Sequence, residues 1–196
     1  MLYDYEGIKK MEKSVIIAGY GGQGVLFAGK LLSYAAIIEN MNTTWIPSYG
    51  AEMRGGSANC SVKLGDDEIG SPIINKPDIL IALNIPSFYR FEKDVKKGGL
   101  IVVCANEDEV TKSRDDISYF FITLKNLTKN IQHSFINIVA LSAMIRKTGL
   151  LKIESLILAL NKLIPKDKLH MLTSNIEAIK LSAKFVFDNK NSKAFI

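Results

Sequence analysis

Four glycines fall within six positions at Gly19, Gly21, Gly22 and Gly24, with Tyr20 and Gln23 between them. The apolar run Val15-Ile16-Ile17-Ala18 precedes them and predicts a short buried strand. Residues 25–36, which follow, repeat apolar side chains every third or fourth position, as one face of a helix requires. Strand, glycine turn and helix form the unit that aims free backbone N–H groups at an anion. Glycine serves twice there. It allows the tight turn, and it lacks the Cβ that would hold a phosphate away. The same turn also suits plain close packing of helix on sheet, so this motif alone leaves anion binding and packing both open.

A second stretch stands out, Ser48-Tyr49-Gly50-Ala51-Glu52-Met53-Arg54-Gly55-Gly56-Ser57. It predicts a loop with three glycines, an acid, an arginine and a tyrosine. That mixture suits the close approach of a partner or ligand, because binding groups concentrate on loops at strand ends. An ordinary structured crossover fits it too.

Other motifs fail on their chemistry. Gly19-x-Gly21-x-x-Gly24 satisfies the dinucleotide fingerprint, but that site needs an acid near the end of strand two for a ribose hydroxyl. Trp45-Ile46-Pro47-Ser48 occupies that place, and Glu39 comes too early. The run from Gly24 to Lys30 imitates a phosphate-binding P-loop, but Leu31 replaces the hydroxyl that should hold magnesium. Arg54-Gly55-Gly56 is a single triplet and predicts a loop turn. His133 and His170 are unaccompanied by nearby cysteine or paired acid ligands, and no G-x-S-x-G elbow occurs.

The elements that must position the two glycine stretches follow from periodicity. Residues 1–12 form a loose or short helical lead-in. Strands are expected over 14–18, 43–46 (ended by Pro47), 58–64, 78–83, 100–105 and 118–122. Helices are expected over 22–40, 86–97, 134–149, 153–163 and 174–188. Ser174 and Glu177 have capping-box spacing at the start of the last helix. After the turn Gly65-Asp66-Asp67, residues 68–70 are expected to pair back as a hairpin. Strands alternating with helices imply an α/β fold. The expected form is a mostly parallel sheet with helices on both faces, a β-hairpin insertion after strand two, and C-terminal helices.

The chain has 196 residues, 47% hydrophobic and 23% charged, which suits one α/β domain over 1–196 with its core in about 14–185. The net charge is +5, but Lys and Arg are scattered. That predicts a solvated lysine-rich surface rather than a nucleic-acid interface. Cys60 and Cys104 are far apart and in no C-x-x-C pairing, which argues against a disulfide framework, a zinc site or an iron–sulfur cluster on this chain. Buried free thiols in a reducing cytoplasm fit them. No apolar stretch approaches the roughly 18 residues of a membrane helix. Asp4 and Glu6 interrupt the first ten residues, so a signal peptide is not expected.

Taken together, the stretches resemble a known family. Ala18-Gly19-Tyr20-Gly21-Gly22-Gln23-Gly24 is similar to the opening of the gamma subunits of 2-oxoacid:ferredoxin oxidoreductases. Pro47-Ser48-Tyr49-Gly50-Ala51-Glu52-Met53-Arg54-Gly55-Gly56-Ser57-Ala58-Asn59-Cys60 resembles their second signature, at the expected distance. Ile69-Gly70-Ser71-Pro72 and Pro77-Asp78-Ile79-Leu80-Ile81-Ala82-Leu83-Asn84 match as well, and the similarity covers about residues 14–185 in order. The family usually has Pro where this chain has Ala51, a mild departure.

The resemblance implies a multi-subunit enzyme that oxidatively decarboxylates a 2-oxoacid on thiamine diphosphate. Electrons pass through iron–sulfur clusters to ferredoxin, and an acyl-coenzyme A forms. This chain lacks the GDG…N signature for thiamine diphosphate, and its cysteines do not suit a cluster. The resemblance therefore places thiamine diphosphate, magnesium and the clusters on partner alpha, beta and ferredoxin-like delta subunits. It leaves this chain scaffold and coenzyme A handling, at Gly21, Gly22, Gln23 and Gly24, and makes the chain inactive alone. Ser48, Tyr49, Glu52, Met53, Arg54, Gly55 and Gly56 would lie at the catalytic interface, with Arg54 steadying an anion or pairing with Glu52. The form S-Y-G-x-E-M-R-G-G looks closer to 2-oxoglutarate enzymes than to pyruvate enzymes. A pyruvate or branched-chain enzyme, a purely structural subunit and a free nucleotide-binding module remain as alternatives.

Overall fold

In the computed structural model, residues 11–50, 55–123 and 135–188 are described. Six strands form one sheet in the order β2-β3-β1-β4-β5-β6. They are β1 (Glu12–Tyr20), β2 (Asn42–Tyr49), β3 (Ser57–Gly65), β4 (Ile79–Ala82), β5 (Leu100–Val103) and β6 (Ser118–Phe121). β1, β4, β5 and β6 pair in parallel, while β3 runs antiparallel to both β1 and β2. The helices are α1 (Val25–Ile38), α2 (Ile85–Phe91), α3 (Ile136–Thr148), α4 (Ile153–Leu163) and α5 (Leu172–Asp188).

Continuous apolar strands need cover on both sides. Val15, Ile17, Ile79, Ile81, Leu100 and Val102 pack toward the larger core, which is shared with α1, α3, α4 and α5. The alternate residues Ile16, Ala18, Leu80, Ala82, Ile101 and Val103 pack toward Phe88 of α2 and Val95. The period of two along each strand thus divides the side chains between two layers. α3 and α5 are tied by a reciprocal buried pair. The Ser142 hydroxyl donates to the Ile179 carbonyl at 2.8 Å, and the Ser182 hydroxyl donates to the Val139 carbonyl at 2.8 Å. Among the described residues, no helix is long and apolar enough to cross a membrane.

The architecture is the expected one, with corrections in its details. The hairpin consists of β2 and β3, and residues 68–70 are not a strand. Both edges of β3 are already occupied, by β1 and by β2, so residues 68–70 have no edge to join. Pro47 does not end β2. That strand is at the sheet margin, where a missing N–H need not break a ladder, and it continues to Tyr49. Helix α1 starts at Val25 rather than 22, because Gly22 and Gly24 hold positive φ. Ser174 is not a cap. A 3₁₀ turn, Lys166–Met171, leads into α5, which begins at Leu172. Residues 1–10 of the expected lead-in lie outside the described residues.

Gly29 in α1 is fixed by close packing on the hairpin. A Cβ there would lie 2.4 Å from Cys60 Sγ and 2.8 Å from Trp45 Nε1. Gly29→Val should therefore destabilise the chain by about 2 kcal/mol through overpacking. Urea unfolding followed by circular dichroism checks this, and an unchanged midpoint would refute it.

At the far end of the sheet, Asp78 joins β1 to the segment entering β4. Its Oδ2 accepts from the Ser14 amide at 2.9 Å, the Ser14 hydroxyl at 2.5 Å and Lys96 Nζ at 2.9 Å. Burial pushes the Asp78 carboxyl up, but the hydrogen bonds from Ser14 and Lys96 outweigh it and hold the carboxyl below the ordinary aspartate range. A depressed folded-state pKa gives stability that is present above about pH 4 and lost as pH falls through the folded value. Asp78→Asn should lower stability at pH 7 and flatten the acid limb of a stability-against-pH curve. A variant whose acid limb matches the parent's would remove Asp78 as its source.

Candidate functional site

The sheet has a point where its connections part. From β1 the chain goes through α1 to β2 and β3 on one side, and the later strands β4, β5 and β6 lie on the other. In open α/β sheets the crevice at the carboxyl ends of the strands beside such a point is where ligands bind. The glycine turn closes β1 there, and Asn84 closes β4.

Gln23 bridges these two strand ends. Its Oε1 accepts from the Tyr20 amide at 2.7 Å and from Asn84 Nδ2 at 2.8 Å, and its Nε2 donates to the Leu83 carbonyl at 3.2 Å. A backbone donor on one side and a backbone acceptor on the other fix which end of the amide is which. Asn84 is itself the N-cap of α2, its Oδ1 accepting from the Ser87 amide at 2.8 Å, with Pro86 in the first turn. One side chain therefore holds the first strand, the fourth strand and the second helix in register.

The turn's backbone divides its donors. The Gly21 N–H is taken by the Gly56 carbonyl at 2.8 Å, and the Gln23 N–H by the Tyr20 carbonyl at 3.1 Å. The Gly22 and Gly24 amides have no acceptor among the described residues, and Gly22 is exposed. Gly24, at φ 73°, is the N-cap of α1, and its carbonyl accepts from the Ala28 amide at 3.0 Å and from Asn137 Nδ2 at 3.1 Å. A Cβ on Gly24 would lie 2.3 Å from Asn137 Nδ2, so both backbone angle and space demand glycine. Of the four turn residues expected to face a ligand, Gly22 and Gly24 keep amides without an acceptor among the described residues. The Gln23 side chain is committed to the fold.

The second glycine stretch meets the first. Besides the Gly21–Gly56 bond, the Gly55 N–H donates to the Gly21 carbonyl at 3.5 Å. Ser48 and Tyr49 belong to β2 rather than the loop, with Tyr49 57% exposed. Glu52, Met53 and Arg54 lie outside the described residues, as does His133. His170 is exposed on the 3₁₀ turn, and among the described residues no group of three or more His, Cys, Asp or Glu is arranged to hold a metal.

Sequence reasoning missed three residues here: Asn84, Arg90 and Asn137. Asn84-Ile85-Pro86-Ser87 carried an N-cap signal that announces Asn84. Arg90 and Asn137 had none, because they reach the turn only through tertiary packing. Arg90 Nη1 donates to Ser57 Oγ at 3.2 Å. Asn137 is buried, and its Oδ1 has no partner among the described residues. Cys60 is buried on β3. Desolvation pushes its thiol up to about 12, and its Sγ donates to the Val25 carbonyl at 3.5 Å, which makes it an inert core residue.

Fold and turn together define an α/β protein with a glycine crossover at the parting of its sheet. The chain belongs to the pyruvate ferredoxin/flavodoxin oxidoreductase family, whose pattern matches residues 14–185. It is 48% identical over 91 residues to the ketoisovalerate oxidoreductase subunit VorA of Methanothermobacter thermautotrophicus, a match covering 46% of this chain and 19% of that protein. The chain thus spans about a fifth of the length of that relative. It is 33% identical over 163 residues to the 2-oxoglutarate synthase subunit KorC of Methanocaldococcus jannaschii, covering 80% of this chain and 86% of that one. The structure of a keto/oxoacid ferredoxin oxidoreductase gamma subunit from Geobacter sulfurreducens superposes with a TM-score of 0.71 at 26% identity, over 90% of this chain and 99% of that one.

Gln23→Ala removes all three bonds of the clasp, two of them across the crevice. It should cost about 2 kcal/mol, since loss of bonded partners leaves the Tyr20 amide and Leu83 carbonyl unpaired. The Tyr20 amide should also lose hydrogen-exchange protection selectively, and equal exchange in parent and variant would argue against the clasp.

Proposed function

We propose that this chain is the gamma subunit of a 2-oxoacid:ferredoxin oxidoreductase that converts 2-oxoglutarate to succinyl-coenzyme A with reduction of ferredoxin. The observation that carries the reading is the meeting of the two family signatures at Gly21 and Gly56, beside two unspent amides at the sheet's crevice. The match to KorC along most of both chains supports 2-oxoglutarate as the substrate. Ketoisovalerate is the second reading, favoured by the higher identity to VorA over a shorter stretch. A panel of 2-oxoglutarate, 3-methyl-2-oxobutanoate and pyruvate, given to the assembled enzyme, separates them by kcat/KM.

Partner alpha and beta subunits and a ferredoxin-like delta subunit complete the cytoplasmic enzyme. Thiamine diphosphate with magnesium on those partners supplies the electron sink for decarboxylation, and their iron–sulfur clusters carry electrons to ferredoxin. This chain's own part is scaffold and coenzyme A binding. The Gly22 and Gly24 amides and the first turn of α1 fit a phosphate of coenzyme A, because they combine free donors with the positive end of a helix. The segment 48–57, the end of β2 with the loop that follows, lies against the catalytic interface, with Ser48, Tyr49, Glu52, Met53, Arg54, Gly55 and Gly56 as its contact residues.

Gly22 has φ 101° and open space around it, so alanine and aspartate there share the same backbone strain and differ in charge. In the assembled enzyme, Gly22→Asp should raise KM for coenzyme A about tenfold over Gly22→Ala, equivalent to about 1.4 kcal/mol. Equal KM values for the two variants would remove the turn from the coenzyme A site.

A further inference from the structure

The cations that lie scattered along the sequence are gathered by the fold. A groove of about 600 Å³ runs between the end of α3, the start of α4 and the last turns of α5. Arg146, Lys152, Lys180 and Lys184 line it, against one carboxylate, Glu154. A second cleft, of about 350 Å³, adjoins it at Gly149. Lys13, Lys96 and Lys97 line that one, against Asp78. Seven cations against two carboxylates give this face a net +5, which is the formal net charge of the whole chain. Of the chain's 25 Lys and Arg and 20 Asp and Glu, the other residues carry 18 and 18, so all of the excess charge is here. The face takes in the starts of β1, β4 and β5, at the opposite end of the sheet from the glycine turn.

The fold gives most of the groove cations no duty. Lys180 and Lys184 are about one turn apart on α5, where like charges repel. Lys152 is the N-cap of α4, and the positive end of a helix disfavours a cation. The Glu39 carboxylate beside it accepts from the Lys152 amide, at 2.6 Å. Arg146 alone has local work, in the last turn of α3 with its guanidinium 5.0 Å from the Phe187 ring centroid. Elsewhere the chain pairs its cations, Lys63 with Glu12 at 3.0 Å and Arg114 with Asp116 at 2.7 Å. Among the described residues, Lys152, Lys180 and Lys184 have no carboxylate within ion-pair distance of their ammonium groups.

A concave face of one sign calls for an occupant of the other. A second copy of this chain meeting it face to face would set +5 against +5, and like charges across an interface are unfavourable. A bare anion would leave the apolar residues of the groove uncovered. Leu151, Ile153 and Phe187 lie among the cations, and Phe187 is 50% exposed. Apolar groups within a charged rim are the anatomy of a protein interface. We infer that this face docks the acidic surface of a companion subunit in the assembled oxidoreductase, at the end of the sheet away from the glycine crevice. The inference rests on the reading of the chain as a subunit of such an enzyme. Complementary charge steers the two surfaces together and fixes their orientation.

The test uses the complete oxidoreductase carrying this chain. Zero-length carbodiimide coupling joins an amine only to a carboxylate in direct contact. In the parent enzyme, Lys152, Lys180 or Lys184 should couple to an Asp or Glu of a companion subunit, a result that needs no variant to fold. The chain is then co-expressed with its companion subunits as K180E/K184E and as K162E/K166E. The second pair makes the same charge change on exposed lysines outside both grooves. K180E/K184E should lower the share of this chain retained in the purified assembly at least threefold, and K162E/K166E should leave it within about a fifth of the parent's. Groove lysines that couple to no companion subunit, or only to a second copy of this chain, would overturn the docking face. Equal retention of the two double variants would overturn it too. Release of bound nucleic acid by K180E/K184E from an intact assembly would give the face to that polymer and refute the subunit. If the purified assembly reduces ferredoxin with a 2-oxoacid while the groove lysines stay uncoupled, the docking face fails alone. If the chain purifies with no such activity, the subunit reading fails with it.

Discussion

A parallel sheet whose connections part in two directions has a weak place, the gap between the strands from which they part. Here β1 and β4 are held together along their length by the parallel ladder from Val15–Ile79 to Ala18–Ala82. Beyond Ala82 the ladder yields to the Leu83 N–H bond to Ala18, and then only side chains can join the two ends. The Gln23 amide does this with two accepted bonds and one donated bond. An acid would lack the donor for the Leu83 carbonyl, and a lysine would lack the acceptor for the Tyr20 amide. Glutamine alone has both at the required length, because asparagine is one methylene shorter. The rest of the site inherits its geometry from this clasp.

Much of the fold was legible from the chain, because its periodicities are clean. β4 and β5 are apolar at every position, and α4 repeats its apolar face without interruption, so their existence and type follow from pattern alone. Two departures share a cause. At Pro47 and at residues 68–70, local chemistry points one way and a strand elsewhere in the chain decides otherwise. A proline is tolerated where a strand has an edge free, and a hairpin needs an unoccupied edge. Neither condition is written in the adjacent residues. Ser174 departs for a nearer reason, because the 3₁₀ turn Lys166–Met171 brings helical backbone before it.

The site was legible in half. The turn and the loop were each visible as glycine-rich stretches, and their resemblance to one family linked them by order and spacing. Their direct contact, through Gly21, Gly55 and Gly56, was not visible, because main-chain bonds between distant segments leave no mark on side-chain type. Nor was the role of Gln23. A polar residue in a glycine turn looks like a ligand contact, yet here it faces inward. The distinction depends on Leu83 and Asn84, about sixty residues on, which only the closed sheet brings near. Arg90 sits on an exposed helix face, where polar residues are common and uninformative, whereas Asn137 is buried in α3, a placement its neighbours in sequence do not announce.

These contacts close into a circuit. Gln23 holds Asn84, Asn84 starts α2, α2 carries Arg90, Arg90 holds Ser57, and Gly56 beside it holds Gly21, two residues before Gln23. Three separate segments of sequence thereby position one another around the open amides of Gly22 and Gly24. A closed circuit differs from a string of independent contacts in how it responds to change. Loss of one link frees its neighbours as well, so substitutions within it should couple rather than add. That gives Gly55 a reason to be glycine beyond any contact with a partner: it holds φ 78°, a backbone angle that residues with a side chain rarely adopt, where its N–H meets the Gly21 carbonyl.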